Sequence, residues 1–291
     1  MRWLRIAALA AAFLAPPALA SASCAALAEA ALRQTLGFLS VPASIRGVAV
    51  SLLLDTGAES GLITEEAAKR LALPADPTRF TRVEGTGGAG AVLPHVLLDQ
   101  LTLGGLALAP QSLPVGPLPA IPRIDPQVAG LLGADVLAGF EVEIDGPGNR
   151  FALYEPGAGC VPPWPYESVP LHRTGDRLSL TAHLDGRPVE ALIDTGSLSI
   201  VLDTEAAARL GVSRAALARD PGGISGGVDM REVTYHWHHF ASLAIGSVMI
   251  GNPVVTVTGV GRETPMLLGA SWFASRRVRL SFATGRMFIA R

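Results

Sequence analysis

The sequence carries little charge. Only 16% of its 291 residues are charged, and the net charge is −2. Lys69 is the only lysine, and its isolation among many arginines is typical of a GC-rich bacterial genome. No basic cluster is present that could attract phosphate groups or an anionic membrane surface. These absences argue against a nucleic-acid partner, and a composition that is 49% hydrophobic fits globular domains with extensive cores.

The apolar run at the N-terminus is too short to span a bilayer. It covers residues 6–15, whereas a membrane-spanning helix needs about 20 residues. Arg2 and Arg5 precede it, and Ala18-Leu19-Ala20 offers a cleavage site of the small-residue type. We therefore expect a signal peptide over residues 1–22, export to the periplasm or the medium, and no stable membrane span after cleavage.

Two alternatives to cleavage by a signal peptidase stay open. The N-terminal segment could remain as an uncleaved membrane anchor, or Cys24 could be lipidated. The lipoprotein alternative is weaker because an aliphatic residue usually stands three places before a lipidated cysteine, and Ser21 occupies that place. Loss of Arg2 and Arg5 with a signal peptide leaves 21 basic and 25 acidic side chains, a net charge of −4.

Cysteine is nearly absent, with only Cys24 and Cys160 in the chain. In an oxidising compartment an even pair favours a disulfide. The bond would tie the mature N-terminus to the middle of the chain. Two free thiols are the alternative, and a thiol nucleophile is not supported because nothing in the sequence places a histidine beside either cysteine.

The tripeptide Asp-Thr-Gly, in contrast, occurs twice. It stands at residues 55–57 and again at residues 194–196, each time after an apolar run that indicates a buried strand. A glycine directly after the threonine allows a sharp turn and a close approach of the backbone. One copy could arise by chance in a chain with 32 glycines, but two copies supply a pair of carboxylates, Asp55 and Asp194.

The repeat extends beyond the tripeptide at a constant offset of 139 positions, the separation of the two aspartates. Six residues recur at that offset, with Ser60, Glu66, Ala67, Ala68, Arg70 and Leu71 matched by Ser199, Glu205, Ala206, Ala207, Arg209 and Leu210. Thr64 and Asp203 stand where a helix N-cap is expected. Both copies therefore predict a strand, a turn and a short helix.

Two further landmarks recur in register. Leu131-Leu132-Gly133-Ala134 is matched by Leu267-Leu268-Gly269-Ala270, with the glycines 78 and 75 residues after their aspartates. The glycine pairs Gly87-Gly88 and Gly226-Gly227 both begin 32 residues after their aspartates. Three landmarks in one register indicate an internal duplication.

These motifs resemble those of the aspartic peptidases of the pepsin and retropepsin type. The resemblance covers roughly Val41 to Arg291, and the Leu-Leu-Gly-Ala blocks are closer to retropepsins. Retropepsins pair two identical subunits, whereas this chain carries both halves and resembles a fused dimer. The resemblance implies an endopeptidase that acts on peptide or protein substrates as a monomer, needs no cofactor or metal, and activates a water with the Asp55/Asp194 dyad.

The resemblance also implies roles for the neighbouring residues. Thr56 and Thr195 would lock the two turns by hydrogen bonds between the lobes. Backbone close to the carboxylates would come from Gly57 and Gly196, with Ala58 and Ser197 next to them. Gly133 and Gly269 would let the chain pass tightly beneath each loop. The glycine pairs at 87–88 and 226–227 would form flaps that close on an extended peptide.

The implied architecture is a mostly β, two-lobed acid-protease fold, with a pseudo-twofold pair of closed, barrel-like lobes and a few short helices. Short alternating runs with frequent turn signals agree with this class. A proline cluster in the middle of the chain cannot continue a helix or a central strand. We predict an N-terminal lobe over residues 23–155, a proline-rich linker over 156–168 and a C-terminal lobe over 169–291.

One difference between the two motifs predicts an unequal dyad. Ala58 follows the first tripeptide and Ser197 the second. A hydroxyl can donate a hydrogen bond to a carboxylate and favour its charged form. We therefore expect Asp194 to be the more anionic member and Asp55 to carry the shared proton.

Other interpretations remain. His236, His238 and His239 lie in one segment, and two of them would share a strand face, but two imidazoles without a clear third ligand rarely form a metal site. The simpler interpretation of this segment is a half-exposed strand. The same fold could also serve as a non-catalytic peptide-binding or envelope interaction protein. Retention of both aspartates and both threonines argues against that alternative.

Overall fold

The computed structural model describes residues 24–85, 88–118, 125, 127–157, 159–226, 232–260 and 264–291. The expected signal peptide, residues 1–22, lies outside this part of the chain. Strands dominate the described residues, and short helices are few, which confirms the predicted mostly β class. No helix within the described ranges is long and apolar enough to cross a membrane.

The first half of the chain, up to residue 155, builds two of the four sheets. A seven-stranded sheet contains β2 (Arg33–Thr35), β3 (Phe38–Ile45), β4 (Val48–Leu54), β5 (Leu62–Ile63), β8 (Leu101–Leu103), β9 (Leu106–Ala107) and β11 (Val128–Leu132). A three-stranded sheet contains β6 (Ala75–Gly85), β7 (Gly88–Leu98) and β10 (Gln111–Pro114). The central pairing of the larger sheet is parallel, between β4 and β11.

The second half, from residue 166 onward, repeats this plan in one ten-stranded sheet. Its strands are β15 (His172–Thr174), β16 (Arg177–Leu184), β17 (Arg187–Ile193), β18 (Val201–Asp203), β19 (Gly222–Gly226), β20 (Glu232–His239), β21 (Ser242–Ile245), β22 (Val248–Gly251), β23 (Val254–Thr258) and β24 (Met266–Leu268). Here β17 and β24 form the parallel pair that corresponds to β4 and β11. The duplication inferred from sequence is thus visible in the strand pairing.

A six-stranded sheet joins the two halves. In order, it contains β1 (Ala26–Ala31), β13 (Arg150–Tyr154), β12 (Glu141–Asp145), β25 (Arg277–Ser281), β26 (Arg286–Ala290) and β14 (Tyr166–Pro170). The halves meet where β12 pairs antiparallel with β25. In the described residues the hydrogen-bonded order of every sheet is an open path.

The described helices are short, and two of them begin at the predicted caps. They span Glu65–Arg70, Ala134–Leu137, Thr204–Arg209, Arg214–Leu217 and Ala270–Phe273. Thr64 caps the first through its Oγ1, which accepts from the backbone N–H of Ala67 at 3.1 Å. Asp203 caps Thr204–Arg209 through an oxygen 2.8 Å from the N–H of Glu205. Both N-cap predictions are confirmed, because each side chain satisfies a donor that the helix itself leaves unpaired.

The proline-rich connection is shorter than predicted. Residues 156–165 lie outside the strands, as far as they are described, but residues 166–168 of the predicted linker begin β14. This strand ends at Pro170 and lies at the edge of the joining sheet, where it pairs with β26 alone. An edge strand tolerates proline because one of its sides makes no ladder hydrogen bonds.

Cys24 and Cys160 form a disulfide, with 5.2 Å between their Cα atoms. The bond fixes the residue two places before β1 to the connection between the halves, and Cys160 packs with Ala152 and Tyr154 of β13. The predicted pairing is therefore confirmed. It closes a sequence separation of 136 residues, so it removes much conformational freedom from the unfolded chain.

A buried cluster of charges crosses the joining sheet. Glu143 of β12 is fully buried, and its carboxylate accepts from Arg279 at 2.6 Å, from Arg277 at 2.8 Å and from Arg150 at 2.6 Å. Burial alone would raise the pKa of Glu143, but hydrogen bonds from Arg279 and Arg277 outweigh it and hold the pKa below its usual value. The guanidinium of Arg279 also lies 3.8 Å from the ring centroid of Tyr154.

Candidate active site

The two Asp-Thr-Gly segments leave the ends of equivalent strands. Asp55 follows β4 and Asp194 follows β17. Their backbone N–H groups donate to the carbonyls of Leu132 and Leu268, each at 3.1 Å. Each Leu-Leu-Gly-Ala block therefore runs beside its aspartate as the neighbouring parallel strand, which explains why the two motifs recur together.

Thr56 and Thr195 are buried and exchange hydrogen bonds between the halves. The backbone N–H of each donates to the Oγ1 of the other at 3.1 Å. The hydroxyl of Thr56 donates to the carbonyl of Ile193 at 2.9 Å, and that of Thr195 donates to Leu54 at 2.7 Å. Because each side chain contacts the opposite strand end, the two aspartates are brought together at one place.

Each carboxyl group packs against a glycine of the other half. A Cβ atom added to Gly57 would lie 2.5 Å from Cγ of Asp194, and one added to Gly196 would overlap the carboxyl group of Asp55. Any larger residue at either position would push the two carboxyl groups apart. Glycine is therefore required here by the close approach of the opposite side chain, and neither residue has a positive φ angle.

Gly133 and Gly269 lie beneath the two loops. A Cβ atom at Gly133 would overlap the backbone of Ser60, and one at Gly269 would overlap the backbone of Ser199. Asp135 supports the first loop from the same side, since its Oδ1 accepts from the N–H of Gly61 at 3.0 Å. Asp135 is not part of the repeat, because the second half has Ser271 at the equivalent place, so the repeated motifs did not predict this contact.

Backbone donors hold both carboxylates. Oδ1 of Asp55 accepts from the N–H of Gly57 at 3.1 Å and of Ala58 at 2.9 Å. Oδ1 of Asp194 accepts from Gly196 at 3.1 Å and from Ser197 at 3.3 Å. The donors of Asp55 are thus closer on average, and this favours its charged form.

Burial raises the pKa of both aspartates. For Asp194 the negative charge of Asp55 is the second cause, and together they raise the pKa to about 8. For Asp55 the hydrogen bonds from Ala58 and Gly57 oppose the effect of burial. Two like charges this close cannot both ionise easily, so the pair shares one proton, and the closer backbone donors of Asp55 favour Asp194 as the group that holds it.

This order is the reverse of the one expected from sequence. The expectation assumed that the hydroxyl of Ser197 donates to Asp194, but it donates to the carbonyl of Ser199 at 3.2 Å. Without that donor, Asp194 keeps the longer backbone contacts and a side-chain hydrogen bond with Asp55, which raises its pKa. The expected hydrogen bond from Ser197 to Asp194 was wrong, because a serine hydroxyl in a turn can satisfy a nearby carbonyl instead.

Hairpins stand at the predicted flap positions. In the first half β6 pairs with β7, and Gly88 opposes Gly85. In the second half β19 pairs with β20, and Gly226 opposes Glu232. The remaining predicted flap residues, Gly87 and Gly227, lie outside the described residues.

The histidine segment forms β20. His236 and His238 lie on the same face of this strand, and they pair with Val257 and Val255 of the neighbouring strand β23. Nδ1 of His238 lies 2.6 Å from an Asp220 oxygen. In the described part of the chain no three His, Cys, Asp or Glu side chains are grouped so that they could hold a metal ion.

A further contact between the halves was missed from sequence. Nη2 of Arg177, at the start of β16, lies 3.0 Å from Oε1 of Glu59, four residues after Asp55. The offset of 139 places Leu198 opposite Glu59. The signal is present in the sequence, because a charged residue at one position of the repeat is matched by an apolar residue at the equivalent position.

A family model described as aspartyl protease matches the chain in two segments, residues 41–136 and 180–272. Each segment includes one Asp-Thr-Gly tripeptide and the Leu-Leu-Gly-Ala block of the same half. A comparison with curated proteins finds no significant match.

Proposed function

The chain belongs to the aspartyl protease family, and we propose that it is an aspartic-type endopeptidase whose catalytic dyad is Asp55 and Asp194. One observation carries the proposal: two carboxyl groups meet at one site, each packed against a glycine of the opposite half. Such a pair supplies a base and an acid at the same site.

In the proposed mechanism the two aspartates have different first tasks. Ionised Asp55 accepts a proton from a water molecule, and the water oxygen attacks the carbonyl carbon of the scissile peptide bond. Protonated Asp194 donates to the carbonyl oxygen. The proton taken up by Asp55 then passes to the leaving amine as the C–N bond breaks, and a hydroxyl group of the tetrahedral intermediate returns a proton to Asp194, which restores the starting state. The chain's own carboxyl groups provide every proton transfer, and no covalent intermediate forms on the protein.

The supporting residues keep this geometry. Thr56 and Thr195 fix the two strand ends, while Gly57 and Gly196 allow the carboxyl groups to approach. Gly133 and Gly269 allow the close packing beneath the loops. We also propose that the glycine-bearing hairpins close over an extended peptide. Residues 23–155 and 169–291 would act as the two lobes, and since each lobe supplies one aspartate, the active form would be a monomer.

Export is also proposed. The disulfide between Cys24 and Cys160 is of the kind that persists in oxidising compartments. Together with the predicted signal peptide over residues 1–22, it supports a periplasmic or secreted protease that acts on peptide or protein substrates.

The test is replacement of each aspartate by asparagine. Asp55→Asn and Asp194→Asn should each abolish hydrolysis of an unstructured fluorogenic peptide while leaving urea unfolding cooperative. Because the pair acts as a unit, the double variant should be scarcely worse than either single one. Asp99→Asn, a surface change, should keep full activity. Near-normal turnover by Asp55→Asn would refute the two-carboxylate mechanism.

A further inference from the structure

The two loops that carry the dyad differ in chemistry four residues after each aspartate. Glu59 follows Asp55, and Leu198 follows Asp194. The Glu59 side chain is 71% exposed, and Leu198 is 43% exposed. Both are accessible, and the internal duplication makes them equivalent positions. Their difference is therefore a property of this chain that the repeat itself does not require.

Equivalent positions lie on opposite sides of the dyad. The reciprocal hydrogen bonds of Thr56 and Thr195 relate the two loops by an approximate twofold axis. Four residues of chain span at most about 14 Å, and an extended peptide advances about 3.3 Å per residue. Glu59 and Leu198 thus lie within about four substrate residues of the scissile bond, one toward each end of a bound peptide.

Each loop also contacts a hairpin turn of the opposite half. Glu59 forms an ion pair with Arg177, just after the turn between β15 and β16. Leu198 packs over the turn between β2 and β3, with its Cδ2 atom 3.4 Å from where a Cβ atom of Gly37 would lie. Leu36 in the same turn is exposed. One side of the dyad is therefore ionic and the other apolar.

The accessible charge on the ionic side is negative. Arg177 is 29% exposed, less than half the exposure of Glu59. Arg173 is neutralised by Asp176 at 2.6 Å. Asp135 lies close enough to Asp176 that this charge contributes to raising its pKa, after the larger effect of burial. Glu59 is paired with Arg177, but its carboxylate is the more exposed partner, so a ligand that approaches this side meets it before the guanidinium.

We propose that the Glu59 side selects a lysine or arginine of the substrate and the Leu198 side an apolar residue, so that peptides bind in one direction. The proposal rests on the proposed peptidase function. It assigns Glu59 and Leu198 as specificity-determining residues, which contact the substrate but take no part in the proton transfers.

The experiment uses matched peptides that carry lysine or norleucine at each of the four positions on either side of a cleaved bond. At one or more positions on one side only, kcat/KM for the lysine peptide should exceed kcat/KM for the norleucine peptide by about two- to fivefold. This factor corresponds to the free energy of an exposed ion pair. The preference should weaken at 0.5 M salt, where the Debye length falls to about 4 Å from about 10 Å at 0.1 M. Glu59→Gln should remove it, and Glu66→Gln, on an exposed helix surface, should not. Leu198→Glu should create a second lysine preference on the opposite side.

Binding separates this inference from the proposed function. The same peptides are titrated against the Asp55→Asn variant by fluorescence anisotropy, with and without Glu59→Gln. A lysine preference in binding that Glu59→Gln removes supports the inference even if the wild-type protein cleaves nothing, and that result would overturn only the peptidase proposal. A lysine preference that is absent, or unchanged by Glu59→Gln, would overturn the inference.

Discussion

Thr56 and Thr195 each donate a backbone N–H to the other's hydroxyl, at 3.1 Å in both directions. The two residues are 139 positions apart in sequence. Each hydroxyl also donates to a strand-end carbonyl of the opposite half. Four hydrogen bonds thus join the halves directly behind the dyad, and the free energy of unfolding should depend on them.

Thr195→Val tests this dependence. Valine has the same shape but leaves the N–H of Thr56 and the carbonyl of Leu54 buried without partners, so the free energy of unfolding should fall by about 2–4 kcal/mol. Thr195→Ser keeps the hydroxyl and should cost less than about 1 kcal/mol. Urea denaturation measures both. A Thr195→Val variant no less stable than Thr181→Val, a change on an exposed strand position, would contradict the role of these bonds.

A second prediction concerns the buried charges of the joining sheet. Glu143→Gln leaves Arg279, which is 1% exposed, without its carboxylate partner. The expected loss is about 3–5 kcal/mol in the free energy of unfolding, because an uncompensated buried charge is strongly unfavourable. Glu29→Gln removes a partner of the neighbouring Arg150, but Glu29 is 57% exposed, and the loss should stay below about 1 kcal/mol.

The stabilisation that Glu143 contributes should depend on pH, in a direction that follows from its pKa. The folded-state pKa of Glu143 lies below its ordinary value of 4.5. Its stabilising contribution is therefore present above that value and is lost as the pH falls through the folded-state pKa. The stability difference between wild type and Glu143→Gln should shrink in acid, as followed by urea unfolding from pH 7 down to pH 3. A difference that stays constant over this range would show that the carboxylate charge is not responsible.

Much of the site could be predicted from sequence because it depends on repeated local patterns. An apolar run that ends in Asp-Thr-Gly specifies a strand and a turn, and the later Leu-Leu-Gly-Ala block specifies its parallel neighbour. The N-caps Thr64 and Asp203 follow from side-chain chemistry within one turn. Such features need only neighbouring residues or a second copy in register.

Other features depend on packing between distant segments. The ion pair of Glu143 and Arg279 joins residues 136 positions apart, and no local pattern indicates which charged residues will face each other across β12 and β25. The proton order of the dyad depends on details such as the backbone N–H of Ala58, which lies 2.9 Å from Asp55, whereas the equivalent N–H of Ser197 lies 3.3 Å from Asp194. Residues 166–168, the start of β14, were assigned to the linker because proline disfavours central strands, but an edge position relaxes that rule.

The last prediction concerns the protonation of the dyad. In the proposed mechanism Asp194 must be protonated, and its pKa is about 8. The value of kcat/KM should therefore decline as the pH rises through about 8. The free energy of unfolding should also fall as the pH rises. A carboxyl group whose pKa is raised in the folded state makes its full stabilising contribution below its unfolded pKa of 3.8, and this contribution is lost as the pH rises toward 8. Asp194→Asn should thus gain stability relative to wild type between pH 4 and pH 8 in urea unfolding.

Two variants identify what sets this pKa. The charge of Asp55 is the largest cause after burial, so Asp55→Asn should lower the pKa of Asp194 in a carboxyl NMR titration. Ser197→Ala should leave the alkaline limb of kcat/KM within about half a pH unit of wild type, because the lost hydroxyl donates to Ser199 and not to the carboxylate. A shift of a full unit or more in Ser197→Ala would mean that the hydroxyl contacts Asp194 in the working enzyme and would restore the opposite proton order.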